Sequence, residues 1–231
     1  VDLGLFHVEH HYAELWRNFR KVLIQRNACL KNRIRGQQFD YWTNEFCQYS
    51  KQLADIRKQY IDTLSDELEP WLTILLPSLK EKIRLSYSQG WAAKKDLADV
   101  LAENNERELK YGHSLFGAHK FDVSFHCDKT NIEQVLSRGQ QKLFLMALTI
   151  AQASLIFNSQ QVTPILLIDD IGAELDSGSR SALATAIKEL NCQLFITAID
   201  NNALEPIIPE QQGYKMFHVK HGEITEITQG E

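Results

Sequence analysis

The sequence predicts an α/β chain in two parts: a mostly helical lobe with an antiparallel helix pair over residues 1–112, then a mostly parallel sheet with helices over 113–231. Three observations predict it. Two long helical periodicities, rich in aromatic residues, fill the first third of the chain. Ile165-Leu166-Leu167-Ile168 is an uninterrupted apolar run ending in Asp169-Asp170, the pattern of a parallel-sheet strand buried on both faces. Between them, Leu136-Ser137-Arg138-Gly139-Gln140-Gln141-Lys142 reads as a loop that opens a long apolar helix.

The first helix is expected from about Val8 to Lys31, with Tyr12, Leu15, Trp16, Phe19, Val22, Leu23 and Leu30 on one side. Arg17, Arg20, Lys21 and Lys31 share the opposite side. From Leu15 to Phe39 there are seven basic residues and no Asp or Glu. Such a face is most often merely solvated; contact with DNA is the sharper alternative. Arg26 projects among the apolar residues, so burial would require a partner. After a link containing Gly36, Asp40 reads as the N-cap of a second, longer helix that packs antiparallel to the first. Its stripe of Phe39, Trp42, Phe46, Tyr49, Leu53, Ile56, Tyr60, Leu64 and Leu68 is packing rather than a base-stacking platform, and Pro70 and Pro77 should break the pattern. Ile83, Leu85 and Tyr87 alternate with polar residues as a strand, and Asp96 to Lys110 is helical. Gly112 to Gly117 is a turn, and a second alternating strand lies within His119 to His126. Beyond Asp170, a helix is expected from about Ser177 to Leu190, a buried strand over Gln193 to Ala198, and a hairpin around Lys220-His221-Gly222.

The totals bound the class. At 231 residues, 44% hydrophobic and 24% charged, the composition is that of an ordinary globular chain. Such a chain buries roughly 70% or more of its extended surface and needs no disulfide or metal for stability. Cys29, Cys47, Cys127 and Cys192 show no CxxC spacing, which suits reduced thiols in a cytoplasmic protein. No apolar run reaches the ~18 residues of a membrane span, so no membrane partner is expected. The net charge of −5 argues against a uniformly basic nucleic-acid binder, but local sign steers a polyanion more than the total does. The chain does not start with Met, which predicts a fragment or a processed product.

Two stretches carry chemistry. Ser137 followed by Gln140 has the capping-box spacing. A helix start exposes unpaired N–H groups and the positive dipole end, and Gly139 lets backbone come close, a shape suited to phosphate oxygens. Asp169 and Asp170 end their strand at the carboxyl edge, where α/β sheets bind ligands, and paired acids there could hold Mg²⁺ and orient a water. Glu174-Leu175-Asp176 follows at once. Taken alone, an acid pair at a strand end is better read as helix caps or solvated loop acids; next to the Ser-x-Gly-Gln helix start the functional reading is favoured. His7, His10 and His11, and His218 and His221, have ligand-like spacings, but no Cys or acid cluster joins them, and they read as structural or surface groups.

Together these features resemble the second half of an ABC-type ATPase head, with Ser137-Arg138-Gly139-Gln140 as signature loop, a Walker B strand ending at Asp169 and a D-loop containing Asp176. The Leu-Ser-Arg-Gly-Gln-Gln-Lys loop, the Asp-Asp pair and Glu-Leu-Asp resemble more narrowly the RecF family of recombination mediators. Gly4-Leu5-Phe6-His7-Val8-Glu9-His10, Gln25-Arg26-Asn27-Ala28 and Gly117-Ala118-His119-Lys120-Phe121-Asp122 extend that resemblance over most of the chain, with Ala118 in place of an expected Pro.

The resemblance implies that two heads sandwich ATP as an ATP-dependent homodimer. Ser137 would donate its hydroxyl, and Gly139 its N–H, to a nucleotide on the partner head; Arg138 and Gln140 complete that loop. Asp169 would hold Mg²⁺ through a water, Asp170 stands where most relatives have a catalytic Glu, and Asp176 would touch the opposite subunit. The shorter Asp170 fits a slow ATPase. The usual switch His is replaced by Ala198. No Gly begins a G-x-x-x-x-G-K-[ST] loop; family members carry it further toward the N-terminus, so this chain alone should be inactive. The implied function is ATP-dependent DNA binding in gap repair, at gapped or single-/double-strand junctions, with RecO and RecR loading RecA. The competing readings are an ABC transporter ATPase, disfavoured by Asp170-Ile171 where Glu-Pro is usual, and a non-catalytic interaction module.

Overall fold

The computed structural model describes residues 1–171, 175–190, 192–200, 204–205, 207–208 and 213–227. The first predicted helix is α2 (Tyr12–Lys31), which starts four residues later than expected, and a short helix for which nothing was expected, α1 (Asp2–Val8), precedes it. Glu9 is extended at φ −113°, ψ 108°, and interrupts the pair. The break lets α1 turn back, so that the Asp2 carboxylate reaches Tyr12 and Arg57. The second helix, α3 (Gln37–Leu75), begins after Gly36 at φ 76°, and Asp40 lies in its first turn rather than at its cap. Pro70 does not break α3. The hydrogen bond a proline removes costs stability; here the burial of Leu68, Trp71, Leu72 and Leu75 around it offsets that loss.

Helices α2 and α3 pack on one another as predicted, and α3 also packs along α6 (Arg138–Gln160) and α7 (Ser177–Lys188). α3 is therefore the spine of a single core that spans both halves of the chain. By length and composition alone, α6 could cross a membrane, contrary to the sequence expectation. It runs instead through the core, burying Leu143, Phe144, Ala147, Ile150 and Ala151, while Leu145 faces out.

β1 (Ile83–Ser88) pairs antiparallel with β2 (Asp122–Cys127), and β2 with the short β3 (Thr130–Asn131). Phe125 of β2 meets Phe144 of α6 edge-on at 5.1 Å. α4 (Leu97–Tyr111) is capped by Asp96 and ends at Gly112 in the left-handed conformation. A short helix, α5 (Ile132–Val135), precedes α6. β4 (Ile165–Ile168) and β5 (Gln193–Ile196) form a parallel pair. Only one face of β4 is buried: Leu166 and Ile168 enter the core, whereas Leu167 is 73% exposed. The hairpin of β6 (Met216–Lys220) and β7 (Glu223–Ile227) turns at His221 and Gly222, both at positive φ.

Two buried arginines tie the helical pair to the 112–121 turn. Arg57 donates to both oxygens of Asp2, to the Tyr12 hydroxyl and to the Ala118 carbonyl, and stacks over Phe121. Arg26 is paired, as its position on the apolar side required: it meets Glu108 at 2.6 Å and donates to Ser114 and Thr43.

Candidate functional site

The parallel register sets Ile168 beside Ile196, so the residues that follow each strand leave the sheet side by side at its carboxyl edge. Thr197 donates its N–H to the Ile168 carbonyl at 2.9 Å, and its own carbonyl accepts from Ile171 at 3.0 Å. The Thr197 hydroxyl donates to Asp169 Oδ1 and accepts the Asp170 N–H at 2.9 Å. Asp169 is exposed and Asp170 half-buried, the alternation of the strand carried one step further. Asp170 has φ 47°, a left-handed conformation that Asp tolerates better than most residues.

The signature-like loop sits close by. Ser137 caps α6 with both halves of a capping box: its hydroxyl oxygen accepts the Gln140 N–H at 3.3 Å, and the Gln140 side chain accepts the Ser137 N–H at 3.0 Å. Its hydroxyl proton is thus left to donate elsewhere. The Gln141 N–H closes onto the Ser137 carbonyl at 2.8 Å, so the Arg138 and Gly139 N–H groups precede the first intrahelical bond. Gln141 also clasps the loop to α5 through the Leu136 and Glu133 carbonyls. One turn on, Lys142 reaches across to the Asp170 carbonyl at 2.9 Å. The predicted signature loop and Asp-Asp corner are therefore brought together, joined by a side chain to which the sequence reading assigned no role. Thr197 was missed as well; its only signal was its place beside Ala198 after the strand.

Asp176 caps α7, accepting the Ser179 N–H at 2.7 Å. Hydrogen bonds from the Ser179 backbone and side chain hold its pKa below the ordinary value. It is exposed. Glu174 lies outside the described residues. The predicted DNA-facing residues form a separate surface. Arg17, Arg20, Lys21 and Lys31 are all exposed on α2, and among the described residues none of the four forms an ion pair. The Arg20 guanidinium lies 5.6 Å from the Trp16 ring centroid. A shallow surface recess of about 450 Å³ runs past Trp16, Arg17, Arg20, Lys21 and Ile24, with Glu14 also lining it. The histidines with ligand-like spacing are exposed, and among the described residues no three His, Cys, Asp or Glu side chains gather around a common point.

A family model described as the RecF/RecN/SMC N terminal domain matches residues 7–225. The DNA replication and repair protein RecF of Colwellia psychrerythraea is 51% identical over 234 residues, covering 97% of this chain and 62% of that protein. RecF of Stutzerimonas stutzeri is 38% identical over 98% of this chain and 61% of its own length. A solved structure of the recombination mediator protein RecF with ATP in the RecFOR pathway superposes at a TM-score of 0.77 and 17% identity, covering 98% of this chain and 61% of that one. The chain spans about three fifths of the length of the curated relatives it matches. The shared fold is the α/β, ABC-type ATPase head of that RecF structure, and the chain belongs to the RecF/RecN/SMC family, with RecF proteins among its relatives.

Proposed function

We propose that this chain is the helical arm (1–112) and signature-bearing part of the head (113–231) of an ATP-dependent DNA-binding protein of recombinational gap repair. The observation that carries the reading is the joined corner: a capped helix start whose first N–H groups precede its first intrahelical bond, fastened by Lys142 to the backbone of a carboxylate pair at a sheet edge. That arrangement suits phosphate on one side and a hydrated cation on the other. Ser137 donates its hydroxyl, and Gly139 its N–H, to the γ-phosphate of a nucleotide held by a second head, with Arg138 and Gln140 shaping the loop. Asp169 would hold Mg²⁺, and Asp170 would orient the attacking water. The exposed carboxylate and neighbouring hydroxyl are hard oxygen donors, which fit Mg²⁺; when bound, that ion would neutralise the charge of the transferring phosphoryl group. Asp176 meets the opposite subunit.

DNA belongs on Arg17, Arg20, Lys21 and Lys31, the run without a compensating acid. The relatives' name, DNA replication and repair protein RecF, and the RecFOR setting of the RecF–ATP structure support DNA as a partner; RecO, RecR and RecA, in the cytoplasm, complete the proposal. Ser137→Arg in the full-length protein tests the central claim. A bulky cation at the helix start should abolish ATP-dependent dimerisation by sedimentation while nucleotide titration of the monomer stays within about twofold. Dimers of normal affinity would refute the signature role.

A further inference from the structure

Resting on the nucleotide reading of this corner, we infer that Thr197 is a positioning residue for Asp169 and Asp170, and that its hydroxyl replaces by hydrogen bonding part of what a longer acid and a switch His would otherwise fix. The geometry carries this. A single hydroxyl serves two neighbours: its proton goes to Asp169 Oδ1, and its lone pair takes the Asp170 N–H. With one carboxylate oxygen of Asp169 engaged, the side chain has one preferred rotation, and the other oxygen is the one a cation would use.

The Asp170 peptide is held on both sides. Thr197 takes its N–H, and Lys142 of the signature helix donates to its carbonyl. Its left-handed φ of 47° persists where the surroundings over-determine it, and these two bonds come from elements far apart in sequence. The backbone of Thr197 is itself fixed to Ile168 and Ile171, so the hydroxyl sits on a rigid base. Groups one bond removed from a metal-holding residue typically change affinity or activity by about 10–100-fold when lost. Thr197 is exposed, so its replacement should leave folding intact.

The test uses Thr197→Val, which keeps the shape and removes the hydroxyl, with Thr197→Ser as the conservative rescue, both in the full-length protein. Three readouts are needed: Mn²⁺ affinity by electron paramagnetic resonance with ADP present, hydrogen exchange at the Asp170 amide without nucleotide, and kcat and KM for ATP. Thr197→Val should weaken Mn²⁺ binding about tenfold or more, speed exchange at Asp170 and lower kcat about 10–100-fold with KM within twofold. Thr197→Ser should restore all three. Wild-type Mn²⁺ affinity and kcat in Thr197→Val, while Asp169→Asn is inactive, would overturn this proposal alone. So would a Thr197→Ser variant as impaired as Thr197→Val. An Asp169→Asn variant with normal turnover would overturn the nucleotide reading, and this proposal with it.

Discussion

Replacing Glu108 by Gln should destabilise the helical lobe more than any surface change in the chain. Arg26 and Glu108 are 1% and 0% exposed, with 2.6 Å between Nη2 and Oε2. The other carboxylate oxygen accepts the Leu115 N–H at 2.7 Å, so both oxygens of Glu108 are used. An amide in place of this carboxylate would keep the shape but leave the Arg26 guanidinium buried against Phe46 and Phe39 without a counter-charge. Breaking a buried pair from one side costs about 3–5 kcal/mol. For a chain of this size each kcal/mol moves Tm by about 2–4 °C, giving a fall of roughly 6–20 °C. The assay is urea and thermal unfolding, with m unchanged if only stability has moved. Arg26→Met combined with Glu108→Leu removes both charges and should recover most of the loss. If Glu108→Gln costs less than about 1 kcal/mol, or the double variant is no more stable than the single, the pair is not the desolvated lock inferred here.

Three further outcomes are expected. Gly117 sits at φ 128°, ψ 178°, a conformation almost confined to Gly, and an added Cβ would run into the Phe46 ring; Gly117→Ala should therefore cost roughly 2–5 kcal/mol in denaturant unfolding. Burial lowers the pKa of His119 below its ordinary 6.5, although its ring also bonds the Ser114 carbonyl. The unfolded chain then takes up a proton that the folded one refuses, so this contribution to stability is complete above about pH 6.5 and falls as the pH drops through 6.5 toward the folded value. Unfolding free energies of wild type and His119→Gln should converge on acidification; a constant difference from pH 7.5 to 5.5 would refute it. Replacing Arg20 and Lys21 by Ala should flatten the log–log salt dependence of duplex DNA binding by about one to two units, at about 0.9 per phosphate contact, with stability nearly unchanged. An unchanged slope would mark this face as simply solvated.

What could be read in the sequence, and what could not, divides along the range of the interaction that decides each feature. The paired state of Arg26 was legible because helical spacing alone puts it among apolar residues, and a buried cation must be neutralised. Its partner was not, because Glu108 lies 82 residues away on another helix. The capping box at Ser137 and Gln140 was legible because cap and helix are adjacent in sequence. The short α1 ahead of the first predicted helix was not: no Gly or Pro marks the join, and what holds α1 in place is Arg57 drawing Asp2 and Tyr12 together. Pro70 misled because a local cost was set against tertiary burial that a local rule cannot count. Ile165 to Ile168 was correctly a strand in a parallel pair, but an apolar run does not say which face is covered, and Leu167 lies open. The corner combines both cases. Its acids and its helix start stand out as motifs, yet their relative placement depends on Lys142 and Thr197, an ordinary lysine and threonine until the fold brings them to Asp170. A motif search finds the groups that touch a ligand, because their chemistry is unusual at that spacing. The groups that aim them use common hydrogen bonds across long sequence separations, so they emerge only from the folded chain.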